Sequence, residues 1–148
     1  MRHPTRSALL LLSAIFLLFA AFPGHAAKPL PAVGQVTLEL QGVGALVGVS
    51  WGNGVLHFKG KKYSIRVEGL SVGDLGYAKI SARGKVYNMK HHLDITGTYA
   101  AAGAGVALAG GVAGLAMKNE RGVVIDLSAT QAGVKLNLGP QGLTIRMK

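Results

Sequence analysis

From Gln35 to the end of the chain, apolar residues recur at every second position in a series of short runs. Val36, Leu38 and Leu40 alternate with Thr37, Glu39 and Gln41; Leu56 and Phe58 alternate with His57 and Lys59; Tyr63, Ile65 and Val67 alternate with Ser64, Arg66 and Glu68. The same beat returns in Val123, Ile125 and Leu127, in Val134, Leu136 and Leu138, and in Leu143, Ile145 and Met147. A period of two puts apolar side chains on one face of a β-strand and polar ones on the other. Asn53-Gly54, Gly60-Lys61, Arg83-Gly84, Arg121-Gly122, Ala132-Gly133 and Gln141-Gly142 separate these runs and read as turns, where glycine supplies positive φ. No window of about 12 residues carries a capped helical stripe. The pattern predicts an all-β fold of roughly nine to eleven strands. Its expected form is a small antiparallel meandering β-barrel or barrel-like sandwich.

One segment departs from the beat. Ile95 to Met117 is 23 residues without a charge, rich in Ala and Gly. Its length would admit a membrane-spanning helix, and Gly110 and Gly114 make a small-xxx-small pair. Each glycine, however, costs a helix about 1 kcal/mol relative to alanine. Tyr99-Ala-Ala-Ala-Gly and Gly105-Val-Ala-Leu-Ala-Gly are therefore read as central strands of little bulk.

Alternation alone does not say which way the apolar face points. A barrel in water turns it inward, whereas an outer-membrane barrel turns it toward lipid. The alternating runs are mostly about five to seven residues, against the 9–11 that a bilayer needs. Six aromatics (Trp51, Phe58, Tyr63, Tyr77, Tyr87, Tyr99) are too few for two interfacial girdles, and the chain ends on Lys148. The inward orientation is expected, with an outer-membrane barrel as the alternative.

The first residues change the picture of where this barrel works. Arg2 and Arg6 precede an uncharged stretch of 15 residues, Ala8 to Phe22; Pro23 breaks it, and Gly24-His25-Ala26 is a small-x-small exit. This describes a cleaved secretory signal peptide over residues 1–26; the alternative is an uncleaved N-terminal anchor, for which 15 residues are short of the about 20 that cross a bilayer. A periplasmic location follows as the expectation. An extended lead-in over 27–34, with Pro29 and Pro31, then precedes a single barrel domain over 35–148. Removing 26 of 148 residues leaves 122, enough to bury a core without disulfides, and the chain has no Cys. The hydrophobic share of 49% and charged share of 15% exclude a disordered chain.

Without Arg2 and Arg6, 14 basic side chains face 6 acidic ones, a net charge of +8. That field favours anionic partners, and an exported chain meets lipid head groups and acidic polysaccharide more readily than nucleic acid. Lys59, Lys61 and Lys62 cluster at one turn beside Phe58 and Tyr63, a candidate site for an anionic head group. The same lysines would also serve as a solvated hairpin end that discourages edge pairing. Trp51, before Gly52-Asn53-Gly54, is either a core plug, the commoner use, or an exposed aromatic at the barrel mouth that would join the lysines.

No reactive constellation stands out. Gly69-Leu-Ser71-Val-Gly73 has the letters of a nucleophile elbow, with Asp74 or Asp94 and His91 in the matching order. An elbow needs a strand-turn-helix setting that an all-β chain lacks. Lys90-His91-His92-Leu-Asp94 puts only His92 and Asp94 on one strand face, and a metal would need His57 as well. Gly42-Val-Gly44-Ala-Leu-Val-Gly48 has the wrong last spacing for a dinucleotide fingerprint and no helix after it, so no nucleotide or other cofactor is expected. Neither catalytic nor metal-ligating residues are assigned.

Taken in order, Gly54-Val-Leu-His-Phe-Lys-Gly-Lys-Lys-Tyr63, Gly69-Leu-Ser-Val-Gly-Asp-Leu-Gly76, Val86-Tyr-Asn-Met89, Gly97-Thr-Tyr-Ala100, Gly103-Ala-Gly105, Asn119 with Gly122-Val-Val-Ile125, and Gly133 form a succession. It resembles the EipA-type envelope-integrity family and, more distantly, the lipid-binding SYLF domains. The Gly69–Gly76 stretch is a residue shorter than the EipA-type pattern, and the long helical N-terminal portion of those relatives is missing. The resemblance implies a compact periplasmic β-barrel that supports the envelope, with affinity for lipid and no catalysis. The expected function is thus a non-enzymatic exported barrel binding lipid or another amphipathic envelope component. The alternative is an interaction module with a filled core.

Overall fold

The computed structural model describes residues 28–43, 49–72, 77–103 and 106–148. The expected signal peptide, the Gly44–Gly48 stretch and Gly73 and Asp74 of the elbow-like motif lie outside the described residues. Among the described residues there are nine strands: β1 (Ala32–Val43), β2 (Val49–Phe58), β3 (Lys61–Val72), β4 (Tyr77–Tyr87), β5 (Gly97–Ala101), β6 (Leu115–Asn119), β7 (Val124–Ala129), β8 (Leu136–Leu138) and β9 (Leu143–Met147). A 3-10 turn, His92–Ile95, sits between β4 and β5.

Eight of the strands close into an antiparallel barrel in the order β2-β1-β4-β7-β6-β5-β9-β3 and back to β2. The ninth, β8, pairs with Leu70–Val72 of β3, along the edge that β9 pairs further down. The meander expected from the turns holds within β1-β2-β3 and within β5-β6-β7. Each meander is completed by a returning strand, β4 beside β1 and β9 beside β5. The spatial orders 4-1-2-3 and 9-5-6-7 are two Greek keys, which is how the barrel closes without an open edge.

All six alternating sets turn their apolar members inward. Val36, Leu38, Leu40, Leu56, Phe58, Ile65, Val67, Ile125, Leu127, Leu143 and Ile145 belong to one buried cluster, joined by Ile80, Ala82 and Val86 from β4 and by Tyr99 and Met117 from β5 and β6. These inward side chains keep almost no accessible surface, so the barrel interior is filled. Glu39, Arg66, Lys79, Arg83 and Lys85 occupy outward positions and are exposed. Strands β1, β3 and β4 thus present charge on the side where an outer-membrane barrel carries its lipid-facing belt.

Two expected turns are not turns. Gly54 lies inside β2 and Gly84 inside β4. Both point into the barrel where a neighbour comes close: a Cβ on Gly84 would lie 3.0 Å from the Asp126 carbonyl and 3.1 Å from side-chain carbons of Ile125 and Leu127. At Gly54 it would meet the Thr37 carbonyl at 2.6 Å. Here glycine makes room for packing and the strand runs on. Consequently β1 to β4 are 12, 10, 12 and 11 residues long, twice the length of the alternating runs. Strand length therefore does not separate the two barrel types here; side-chain orientation does.

Gly69 does something different. At φ +101 it forms a bulge, so that Ser50 faces Leu70 while Trp51 faces Glu68. The extra residue shifts the inward parity of β3 from Ile65 and Val67 to Leu70. The described residues 96–103 and 106–117 of the Ala/Gly-rich segment contain no helix. Tyr99–Ala101 belongs to β5 as expected, but residues 106–110 form no strand: they cross the outside of the barrel and touch it through a parallel bridge, Leu30 to Leu108. Leu30, Val106 and Leu108 cover Tyr87 and Val124 there, a second small apolar cluster on the outer wall.

Candidate anion-binding surface

The β2–β3 hairpin closes with Phe58 opposite Lys61, leaving a two-residue loop of Lys59 (φ 48) and Gly60 (φ 74). Positive φ at both residues defines the tight type I′ turn whose twist matches the strands. Lys59 Nζ lies 5.1 Å from the centroid of the Phe58 ring and donates to the Lys90 carbonyl at 3.3 Å. That hydrogen bond brings a second basic segment, Lys90 and His91, to the same end of the barrel. Lys59, Lys61, Lys62 and Lys90 are all exposed, and none has a carboxylate within 4 Å among the described residues.

Tyr63 offers less to a ligand than its position in sequence implies. One ring face stacks on His92, centroids 4.3 Å apart and planes 8° from parallel, and the residue packs against the core. Trp51 is neither a core plug nor part of the basic end. It is 48% exposed, because the inward positions of β2 are Ser50, Gly52, Gly54, Leu56 and Phe58. Eight residues of extended strand separate it from Lys59, about 26 Å at 3.3 Å per residue.

The elbow-like and histidine-rich motifs are taken up by structure. Ser71 pairs with Asn137 at the far end of β3, eight residues from Tyr63, whose partner His92 marks the His91–Asp94 segment. The serine is thus about 26 Å from the His91–Asp94 segment. Asp94 caps the 3-10 turn, accepting the His91 N–H at 2.8 Å and the Lys90 N–H at 3.2 Å, with His91 Nδ1 at 3.8 Å. These backbone donors, His91 above all, hold its carboxyl below the usual carboxylate range. No group of three metal-ligating side chains occurs among the described residues.

Register extends the basic end along the barrel wall. Lys62 faces His57, His57 faces Gln35, Gln35 faces Lys85, and Lys85 faces Asp126, one cross-strand row on the outside. The row runs into a 460 Å³ cleft between the wall and the Ala/Gly-rich strap, lined by His57, Arg83, Lys85, Tyr87, Gly110, Gly111 and Asp126 among others. The strap turns at Leu108–Gly111, where the Gly111 N–H bonds the Leu108 carbonyl at 3.0 Å and Gly110 has φ +88. It is then pinned by Asp126, whose two carboxylate oxygens accept the Ala113 N–H at 2.8 Å and the Gly114 N–H at 2.9 Å.

Arg83 and Lys85 stay exposed at the cleft without an ion-pair partner among the described residues. Tyr87 is fully buried there, and its hydroxyl has no hydrogen-bond partner among them. Burial, with Asp126 nearby, pushes that phenol above its ordinary value and keeps the hydroxyl protonated. Arg83, Lys85 and Tyr87 alternate on one face of β4, a pattern visible in the sequence once Gly84 is read as a strand residue rather than a turn. No family model, curated protein or solved structure matches this chain.

Proposed function

We propose that this chain is a non-enzymatic exported barrel of the periplasm that supports the cell envelope by binding an anionic component through its outer surface. The observation that carries this reading is the convergence of Lys59, Lys61, Lys62 and Lys90 at one end, joined by the Lys59–Lys90 hydrogen bond and unneutralised by any described carboxylate. The filled core argues for an exterior contact rather than a ligand held inside. The resemblance of the motif succession to EipA-type proteins points the same way, and the signal-peptide pattern supplies the compartment. Membrane burial of the wall would force Glu39, Arg83 and Lys85 into lipid, which supports contact with a head-group surface rather than insertion. An interaction module is the second reading, favoured by β8, which pairs with β3 alone.

Co-sedimentation with vesicles tests the first reading. Vesicles containing phosphatidylglycerol should bind and phosphatidylcholine vesicles should not, and added salt should weaken the binding. Each lysine near an anionic surface contributes about 1 kcal/mol, so the triple variant Lys59→Gln, Lys61→Gln, Lys62→Gln should lose about 100-fold. Equal binding to both vesicle types, or to neither, would favour the interaction module.

A further inference from the structure

We propose that the cleft between β4 and the Ala/Gly-rich strap is a binding site for a phosphate monoester, separate from the lysine end. The cleft leaves two cations unused. Arg83 and Lys85 are two residues apart on β4, so both stand on the outer wall, and neither is neutralised by a described carboxylate. Asp126 lies opposite Lys85 in the register, yet both its oxygens are engaged by the strap N–H groups of Ala113 and Gly114. It acts as the fastener of the strap and leaves the cations unpaired.

The Tyr87 hydroxyl is the second, independent observation. A fully buried phenol without a described partner is uncommon, because a buried polar group lacking a hydrogen bond costs free energy. Tyr87 lines the same cleft as the two cations. The Arg83 guanidinium and the Lys85 ammonium are donor-only groups suited to a tetrahedral dianion, and Tyr87, whose buried hydroxyl keeps a donor in reserve, lines the cleft with His57. A carboxylate, with two oxygens and one charge, would leave part of that set unused. The volume of 460 Å³ is within the range of small-ligand sites. The strap bounds the cleft through Gly110 and Gly111.

The test is an amide-resolved NMR titration of the folded chain with glycerol 3-phosphate, with acetate as the carboxylate arm. Saturable shifts at Gly110, Gly111, Ala113 and Lys85 are expected at low-millimolar glycerol 3-phosphate, with at least a tenfold weaker response to acetate. Arg83→Gln with Lys85→Gln should weaken binding more than tenfold, and Tyr87→Phe about three- to tenfold. Tyr87→Phe removes only an unpartnered hydroxyl, so the fold should survive and report on binding alone. The triple Lys59, Lys61, Lys62 variant should bind glycerol 3-phosphate as well as the parent, which separates this site from the vesicle surface. A second titration, with phosphatidic acid vesicles, tells the two sources of a phosphate monoester apart: shifts at the same amides identify a lipid head group, and shifts only with the free ester identify a soluble metabolite. Absence of saturation by about 10 mM, equal affinity for acetate, or full affinity in the Arg83/Lys85 variant would overturn the site.

Discussion

Asp126 fastens Gly114: a carboxylate on the outer wall of β7 accepts that backbone N–H at 2.9 Å, and through it ties the end of the Ala/Gly-rich strap to the barrel. A second oxygen of the same carboxylate holds Ala113. The strap has few apolar side chains with which to hold itself down, and Leu108 is the only buried one among its described residues 106–114. Asp126→Ala should therefore release it. Hydrogen exchange at 106–114 should accelerate while β1 to β3 keep their protection, with a stability loss of about 2–3 kcal/mol for two charge-assisted hydrogen bonds. Unchanged exchange in the strap would show that Leu30 and Leu108 hold it unaided.

Asn119 plays the corresponding part at the barrel end. Its amide donates to the Asp94 carbonyl at 2.8 Å and to the Thr96 carbonyl at 3.3 Å, and its oxygen accepts the Arg121 and Val123 N–H groups at 3.0 Å. Burial holds the neighbouring Tyr99 phenol protonated, donating to the Ile95 carbonyl at 2.8 Å. Asn119→Ala leaves several buried groups without partners, and a loss of about 3 kcal/mol is expected in urea unfolding. A loss below about 1 kcal/mol would mean the backbone closes these bonds by itself.

Glycine substitutions separate the two uses of glycine. Gly84→Ala places a methyl against Ile125 and Leu127 in the filled interior and should cost about 1–3 kcal/mol. Gly103→Ala meets nothing within 4 Å and should be neutral within about 0.5 kcal/mol. Comparable thermal midpoints for the two variants would contradict the filled core.

The cap at Asp94 gives a pH dependence of known sign. Its carboxyl is held below its ordinary value in the folded chain, so its stabilisation is present above the ordinary value of about 3.9 and is lost as pH falls through the lower folded value. The His91 amide resonance should report this titration, with a midpoint below about 3.9. In Asp94→Asn that acid transition should vanish. A midpoint at or above the ordinary value would show that the cap does not form in solution.

The barrel was legible because its interior obeys a simple rule. Every alternating set that the sequence displays, from Val36-Leu38-Leu40 to Leu143-Ile145-Met147, packs against or belongs to one cluster. What stayed hidden hinges on glycine. Gly84 and Gly54 carry turn chemistry in sequence but serve as notches in the barrel wall, and misreading Gly84 conceals the alternation of Ile80, Ala82 and Val86 inside with Arg83, Lys85 and Tyr87 outside. Register is the other hidden quantity. Nothing local to Lys62 or Lys85 says that His57 and Gln35 stand between them in one row, because that row is set by strand pairings across the barrel. Trp51 illustrates the same point: its large apolar side chain suggests the interior, and the parity of β2 puts it outside.

The central claim is that this barrel is filled and does its binding on its outer wall. Methyl-resolved and amide-resolved NMR of the chain, titrated with bicelles containing phosphatidylglycerol, tests that claim most directly. Shifts should gather at Lys59, Lys61, Lys62, Lys90 and His57, while the methyl signals of Leu38, Ile65 and Leu127 stay fixed. Shifted core methyls, or new contacts between those methyls and lipid chains, would contradict it.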